Sequence, residues 1–197
     1  MNAAEYAGKL AGALLRTMKE TYFQRRQLLP PNKAQLITHT PNLSMGLTRL
    51  PTPGPILEEL CARKPLPPLC PAQVYNRDLT AKIDALPFHA NVKAGLHLMN
   101  DDWKRAHDLV EPLDPDQTAN YWHAIVHRRE GDFWNSKWWF RKIQHPLLKT
   151  VYGNDSNRGA QAFVDQVERG DSVTRLEEKQ LNEMRLLMDY AFKEYAQ

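Results

Sequence analysis

Two histidines and a glutamate recur at helical spacing in one short stretch of this 197-residue chain. His123 and His127 are four residues apart, and Glu130 follows three residues after His127. On a helix these side chains share one face, with the two imidazoles about 6 Å apart along the axis. Imidazole exchanges protons near neutral pH, so the three residues are candidate catalytic groups for acid–base chemistry.

The same face carries donors for a divalent metal, because imidazole and carboxylate ligate zinc, iron or manganese. His97 is expected at the equivalent place on the neighbouring helix, where it would join the set. The zinc-protease pattern His-Glu-x-x-His is absent, since Ala124 follows His123. We therefore favour no cofactor, with His127 in a core aromatic position and His123 half exposed. The alternative is a divalent metal held by His123, His127 and Glu130.

Two adjacent arginines follow on the same stretch. Arg128 and Arg129 point about 100° apart around a helix, so we do not expect both to face the core. An exposed guanidinium here would pair with nearby carboxylates such as Glu130, Asp132 and Asp102. Alternatively, its planar fork would bind the carboxylate or phosphate of a ligand.

Four of the five tryptophans fall between residues 122 and 139. They cannot all share one buried face, and Trp138 and Trp139 are adjacent, so at least one is expected at a groove. An exposed tryptophan is typical of a binding surface. We therefore predict a groove for an acidic or flat ligand or peptide, lined by Trp122, Trp138, Trp139, Arg128, Arg129 and His97.

Two short helices that turn back on each other must position these residues. Residues 121–130 contain no glycine or proline, and Gly131 suits the left-handed conformation that ends a helix. Asp132 is placed to cap a second helix over 133–143, which Pro146 is expected to end. Helices 92–100 and 103–110, separated by Asp101-Asp102, are predicted to have the same layout, as the first copy of an internal repeat.

These hairpins resemble tetratricopeptide repeats over roughly residues 90–146. The matching residues are Ala124, Gly131-Asp132-Phe133, Ser136, Phe140 and Pro146, with Asp102-Trp103 and Ala106 as a weaker second copy. The shorter period, Ser136 and His127 depart from the family, whose period is about 34 residues. The chain also resembles small bacterial and fungal proteins that share the segments 121–123 and 127–130, a likeness that implies no particular activity.

The rest of the chain is interpreted as scaffold. Residues 1–29 form an amphipathic helix, and residues 30–75, which carry ten of the fourteen prolines, form an extended arm that wraps the body or covers a site. Short helices are predicted at 56–63, 78–86 and 159–169, and a closing helix at 174–195. Residues 76–197 are thus a helical body, and the class is all-α in one compact domain.

Composition limits the partners. A net charge of +3 does not favour nucleic acid, and no apolar run is long enough to span a membrane. Two cysteines without metal spacing indicate a cytoplasmic protein, with an N-terminal transit segment as the alternative. We favour a binding protein for an unknown protein or small acidic ligand, with a homodimer through the terminal helices as a further option. The alternative is a small all-α enzyme that uses the histidine, glutamate and arginine site.

Overall fold

A computed structural model describes residues 54–195, and within this range every regular element is a helix. The predicted all-α class is confirmed there. The predicted helix over 1–29 and the first part of the proline-rich arm, residues 30–53, lie outside the described residues. No helix among those described is long and apolar enough to cross a membrane. The helices are α1 (Gly54–Ala62), α2 (Arg77–Asp84), α3 (Ala90–Met99), α4 (Trp103–Val110), α5 (Gln117–Glu130), α6 (Phe133–Lys142), α7 (Pro146–Tyr152), α8 (Ser156–Arg169) and α9 (Val173–Tyr195).

Two hairpins, α3–α4 and α5–α6, have turns of similar geometry at corresponding places in the chain. Asp101 and Gly131 end the first helices with φ of 62° and 92°, in the left-handed region. Asp102 and Asp132 then cap the second helices, each accepting a hydrogen bond from the backbone N–H three residues later, at 3.3 and 3.1 Å. The two-residue breaks predicted from the sequence are therefore the turns that fold each hairpin.

Small residues let the helices approach closely. Ser136 on α6 is fully buried, and its hydroxyl donates to the Ala124 carbonyl at 2.8 Å. At Gly95 on α3, a Cβ atom would lie only 2.7 Å from the Trp122 ring and from the Met188 sulfur. Trp122 thus fills the space between the two hairpins and α9, and any larger residue at Gly95 would push against it.

The chain after the hairpins differs from the prediction at Pro146. This residue does not end α6, which stops at Lys142 because Ile143 adopts an extended conformation. Instead, Pro146 is the first residue of an unpredicted helix, α7, a position that proline favours because it needs no N–H donor. Helix α9 then packs along α3 and also contacts α7 and α8.

Residues 63–76, between α1 and α2, are irregular and lie against the helical body. The Pro68 carbonyl accepts from Arg129 Nη2 at 3.0 Å and from Gln180 Nε2 at 3.3 Å. At the end of α1, the Cys61 carbonyl accepts from Arg185 on α9 at 2.6 Å. Side chains of α5 and α9 thus bind the backbone of this segment and of the end of α1.

Candidate functional site

Helix α5 carries two polar clusters. The arginine cluster comprises Arg128, Arg129 and Arg63 with the carboxylates Asp101 and Glu183. The histidine cluster comprises His107, His123 and His127 with Glu130 and Asn135. They differ in the partners of their ionisable side chains, which are carboxylates for the guanidiniums and chiefly other imidazoles for the histidines.

Arg128 is fully buried and has fixed partners on α9. Its Nη2 lies 2.6 Å from Glu183 Oε2, and its Nε donates to Gln180 at 3.1 Å. Tyr152 donates its hydroxyl to the second oxygen of Glu183. Both oxygens of this carboxylate are therefore occupied, and the guanidinium is not free for a ligand.

Arg129 is also fully buried, on the side of α5 that faces α3. Its Nη2 lies 2.6 Å from Asp101 Oδ1, while Arg63 binds the other oxygen at 2.7 Å. The Leu98 carbonyl accepts a further bond from Arg129 Nη1. The prediction that the two adjacent arginines do not both face the core is wrong, because carboxylates from α9 and from the α3–α4 turn meet them on two sides.

The tryptophans are divided between the core and the surface. Trp122 is fully buried, so it does not line a groove as predicted. Trp138 and Trp139 are partly buried, and the Lys142 ammonium lies 3.2 Å from the Trp138 ring centre. Trp134, which the prediction did not include, is 68% exposed. Because Trp122, Arg128, Arg129 and His97 are all fully buried, the predicted groove lacks four of its six residues.

His97 does not join the other histidines. It is fully buried, and its Nε2 lies 3.1 Å from Asp84 Oδ1 on α2. Burial lowers the pKa of His97, although the neighbouring carboxylates of Asp84 and Asp102 oppose the effect. The expectation that His97 joins the set of His123, His127 and Glu130 is therefore wrong, because its side chain turns to α2, where its partner is Asp84.

The third member of the histidine cluster is His107, which sequence reasoning missed. Its Nε2 lies 3.1 Å from His123 Nε2, and its ring centre is 5.4 Å from that of His127. One ring nitrogen from each of His107, His123 and His127 lies within 4.8 Å of the others. The available signal was the hairpin order, since the second helix of one hairpin packs on the first helix of the next.

His123 is held in the middle of the cluster. Its ring stacks on Trp139 with centres 4.2 Å apart, and on His127 with centres 4.7 Å apart. Two such rings must lie on opposite faces of His123, so its plane is fixed. Burial, together with the adjacent His127 and His107, lowers the pKa of His123 to about 3. The expectation that His123 is half exposed is wrong, since it is buried, and at neutral pH it is a neutral imidazole.

Glu130 determines which nitrogen of His127 is available. Its carboxylate binds His127 Nδ1, so that atom carries the proton and Nε2 carries the lone pair. The Asn135 amide nitrogen lies 3.4 Å from Nδ1 and 3.1 Å from Nε2 of His127. Because Glu130 occupies Nδ1, the Asn135 amide can donate to the Nε2 lone pair, and an ion bound at Nε2 would replace this contact.

The remaining described histidines have backbone partners. His89 Nδ1 caps α3 by accepting from the Asn91 N–H at 3.2 Å, and His145 Nδ1 caps α7 by accepting from the Leu147 N–H at 3.2 Å. Each ring therefore carries its proton on Nε2. For His145 this means that Nε2 can only donate to Thr118, which lies 3.4 Å away, so it is not a base for that hydroxyl.

The geometry of the histidine cluster suits a metal ion. In a tetrahedral zinc site with bonds of about 2.0–2.1 Å, neighbouring nitrogens are about 3.4 Å apart. His107 and His123 already have a spacing of 3.1 Å, and the full set lies within 4.8 Å. For all three nitrogens to bind one ion, any spacing wider than about 3.4 Å would have to shorten to that value. His127, Glu130 and Asp132 form a second group within the same distance, but there Glu130 already binds the His127 ring.

Comparison of the chain with protein-family models, with curated proteins and with solved structures finds no match.

Proposed function

We propose that this protein binds one divalent transition-metal ion through His107, His123 and His127. The observation that carries the proposal is the convergence of three imidazoles, one from α4 and two from α5, within 4.8 Å of one another. The ligand set differs from the sequence-based alternative of His123, His127 and Glu130. His107 replaces Glu130, which instead orients His127.

The facing nitrogens of His107 and His123 form one hydrogen bond, in which one nitrogen donates its proton and the other accepts with its lone pair. With Glu130 on Nδ1 of His127, the Asn135 amide is the donor to its Nε2 at 3.1 Å. A bound metal ion would replace these hydrogen bonds and accept one lone pair from each of the three rings.

The donors indicate which ions the site would take. Imidazole suits zinc, copper, nickel and cobalt, whereas magnesium and calcium prefer oxygen ligands. Glu130 on His127 is the carboxylate partner that commonly supports a metal-ligating histidine. Glu111 lies 4.0 Å from His107 Nδ1 and is placed to support the second ring in the same way.

The scaffold that we propose for this site is a pair of tetratricopeptide-like hairpins. The matching left-handed residues Asp101 and Gly131, and the matching caps Asp102 and Asp132, support this interpretation. His107 belongs to the first hairpin, and the other two ligands belong to the second. A bound ion would therefore join the two hairpins.

A second candidate function is the binding of an acidic peptide on α6. Trp134 is 68% exposed, and Lys142 and Arg141 are exposed on the same helix. Aromatic and basic side chains together favour an acidic partner. This is the part of the predicted groove that remains accessible.

The test of the metal site is an equilibrium titration of the metal-free full chain with zinc, against a chelator of known affinity. We expect one zinc per chain, and His107→Ala should weaken binding by more than about 100-fold, because even supporting residues of a metal site are worth 10–100-fold. His89→Asn is the matched control, since it removes an imidazole outside the cluster and keeps a good cap. Unchanged zinc affinity in His107→Ala would contradict the proposal.

A further inference from the structure

We infer, on the basis of the proposed metal site, that the bound ion keeps one coordination position open to solvent and activates a water molecule there for ester hydrolysis. Structural zinc sites have four protein ligands, whereas catalytic sites have three and a water. Among the residues described, no fourth histidine, cysteine or carboxylate joins the group of His107, His123 and His127. The count of ligands therefore matches the catalytic class.

The exposure of the three histidines indicates from which side solvent would reach the open coordination position. The His107 side chain is 24% exposed, whereas that of His127 is 7% exposed. On the inner side, the Trp139 ring covers one face of His123 and His127 covers the other. Water can therefore approach the ion beside His107, on the α4 side of the cluster, and not through the stacked rings.

The charge of the ligand set favours activation of water. Three neutral imidazoles leave the full double positive charge on the ion, and a zinc-bound water in such a site has a pKa of about 7. Glu130 hydrogen-bonds to His127 Nδ1 and is oriented away from the lone pair that would bind the ion. It supports the ligand without reducing the charge by direct coordination.

The proposed step uses only the ion and water. The bound water releases one proton to the solvent and becomes hydroxide. Its oxygen forms a bond to the carbonyl carbon of an ester, and the bond from that carbon to the leaving oxygen then breaks. The leaving group departs with the electron pair, and the acid product is replaced on the ion by a new water molecule. No electrons are exchanged with the metal.

The first test replaces zinc with cobalt(II) in the full chain and follows its visible absorption while thiocyanate is added. An open position predicts a saturable spectral change in the wild type, because the anion displaces the water. Stoichiometric cobalt binding with a spectrum that thiocyanate does not alter would overturn the open position and leave the metal site intact. Absence of cobalt and zinc binding would overturn both.

The second test measures hydrolysis of p-nitrophenyl acetate by the zinc-loaded chain. We expect a rate proportional to bound zinc, and at least about tenfold lower in His107→Ala at the same zinc concentration, because hydroxide is generated on the ion. His89→Asn should hydrolyse the ester at the wild-type rate. A zinc-loaded wild type no faster than its metal-free form would overturn the inferred activity while leaving metal binding unaffected.

Discussion

The two polar clusters of α5 adjoin at His127 and Arg128, and their ionisable side chains have different kinds of partner. In the arginine cluster, each buried guanidinium meets a carboxylate, as Arg128 meets Glu183 and Arg129 meets Asp101. In the histidine cluster, His107, His123 and His127 mainly meet one another. The first cluster pairs its charges within the chain, although the Nε atoms of Arg63 and Arg129 are buried without a hydrogen bond to any described residue. The second brings one ring nitrogen from each of three histidines within 4.8 Å of the others, and we propose that a metal ion binds there.

The kind of partner distinguishes polar groups that hold the helices together from polar groups that we propose bind a ligand. Buried charges with full sets of partners fix the packing of helices, and they cost stability when one partner is lost. Buried ionisable side chains of the same kind, such as several imidazoles, do not neutralise one another. Such clusters are common at binding and catalytic sites. His97 and His127 fall at corresponding places in the two hairpins: His97 binds Asp84 on α2, whereas His127 binds Glu130 and stacks on His123.

Among these variants, the largest loss of folding stability is expected when the arginine cluster loses a carboxylate. Glu183→Ala leaves Arg128 buried without its counter-charge, and we expect a loss of about 3–5 kcal/mol in the free energy of unfolding. Urea denaturation of the metal-free chain measures it. The double variant Arg128→Met, Glu183→Leu should recover most of the loss, because apolar residues of similar volume replace the pair. A single variant as stable as the wild type would show that the pair does not hold α5 to α9.

His145 tests whether a histidine with fixed partners behaves as a structural group. Burial lowers its pKa from 6.5 to about 4, although Asp116 opposes the effect. The unfolded chain therefore binds more protons than the folded chain between these values, and the free energy of unfolding falls as the pH drops from 6.5 to 4. The contribution is up to about 3 kcal/mol.

The comparison for this pH dependence is His145→Asn, which keeps a capping side chain on α7 and removes the titration. Denaturant unfolding of both proteins between pH 4 and 7 should show a steeper loss of stability in the wild type. Parallel curves would mean that His145 titrates in the folded protein much as it does in the unfolded one.

Glu130→Gln sharpens the assignment of metal ligands. If Glu130 only orients His127, the variant should weaken zinc binding by about 10–100-fold, less than the loss of a ligand in His107→Ala. The stability of the metal-free chain should change little, because the Glu130 side chain is partly exposed. A larger loss of zinc affinity in Glu130→Gln than in His107→Ala would restore the sequence-based ligand set of His123, His127 and Glu130.

The smallest effect is expected at Trp134. Its side chain is 68% exposed, so Trp134→Ala should change the free energy of unfolding by no more than about 0.5 kcal/mol. The same variant tests the second candidate function, through fluorescence titration with a short polyglutamate peptide in parallel with wild type. Equal peptide binding by both proteins would remove α6 as the peptide surface.

Local signals made the helices and the hairpin turns predictable from the sequence. Gly131 and Asp132 mark a left-handed end and a cap, and their equivalents in the first hairpin, Asp101 and Asp102, do the same. Helix α7 was missed because a proline can follow the end of one helix or stand at the start of the next. Which of the two applies to Pro146 depended on the extended conformation of Ile143.

Long-range partners made the site less predictable. Arg128 is buried because Glu183 lies beside it, 55 residues later in the chain. His107 belongs to the site because α4 packs on α5, whereas the repeat pattern drew attention to His97, at the position equivalent to His127. Spacing along the chain identified two of the three proposed metal ligands, His123 and His127. The third depended on which faces of the helices meet.

The most direct test of the account is the metal content of the untagged full chain as isolated, measured by plasma mass spectrometry beside His107→Ala and His89→Asn. The account predicts about one zinc, copper, nickel or cobalt per chain in the wild type and in His89→Asn, and a large loss in His107→Ala. A wild type that contains no such metal, and acquires none on dialysis against zinc, would contradict the account.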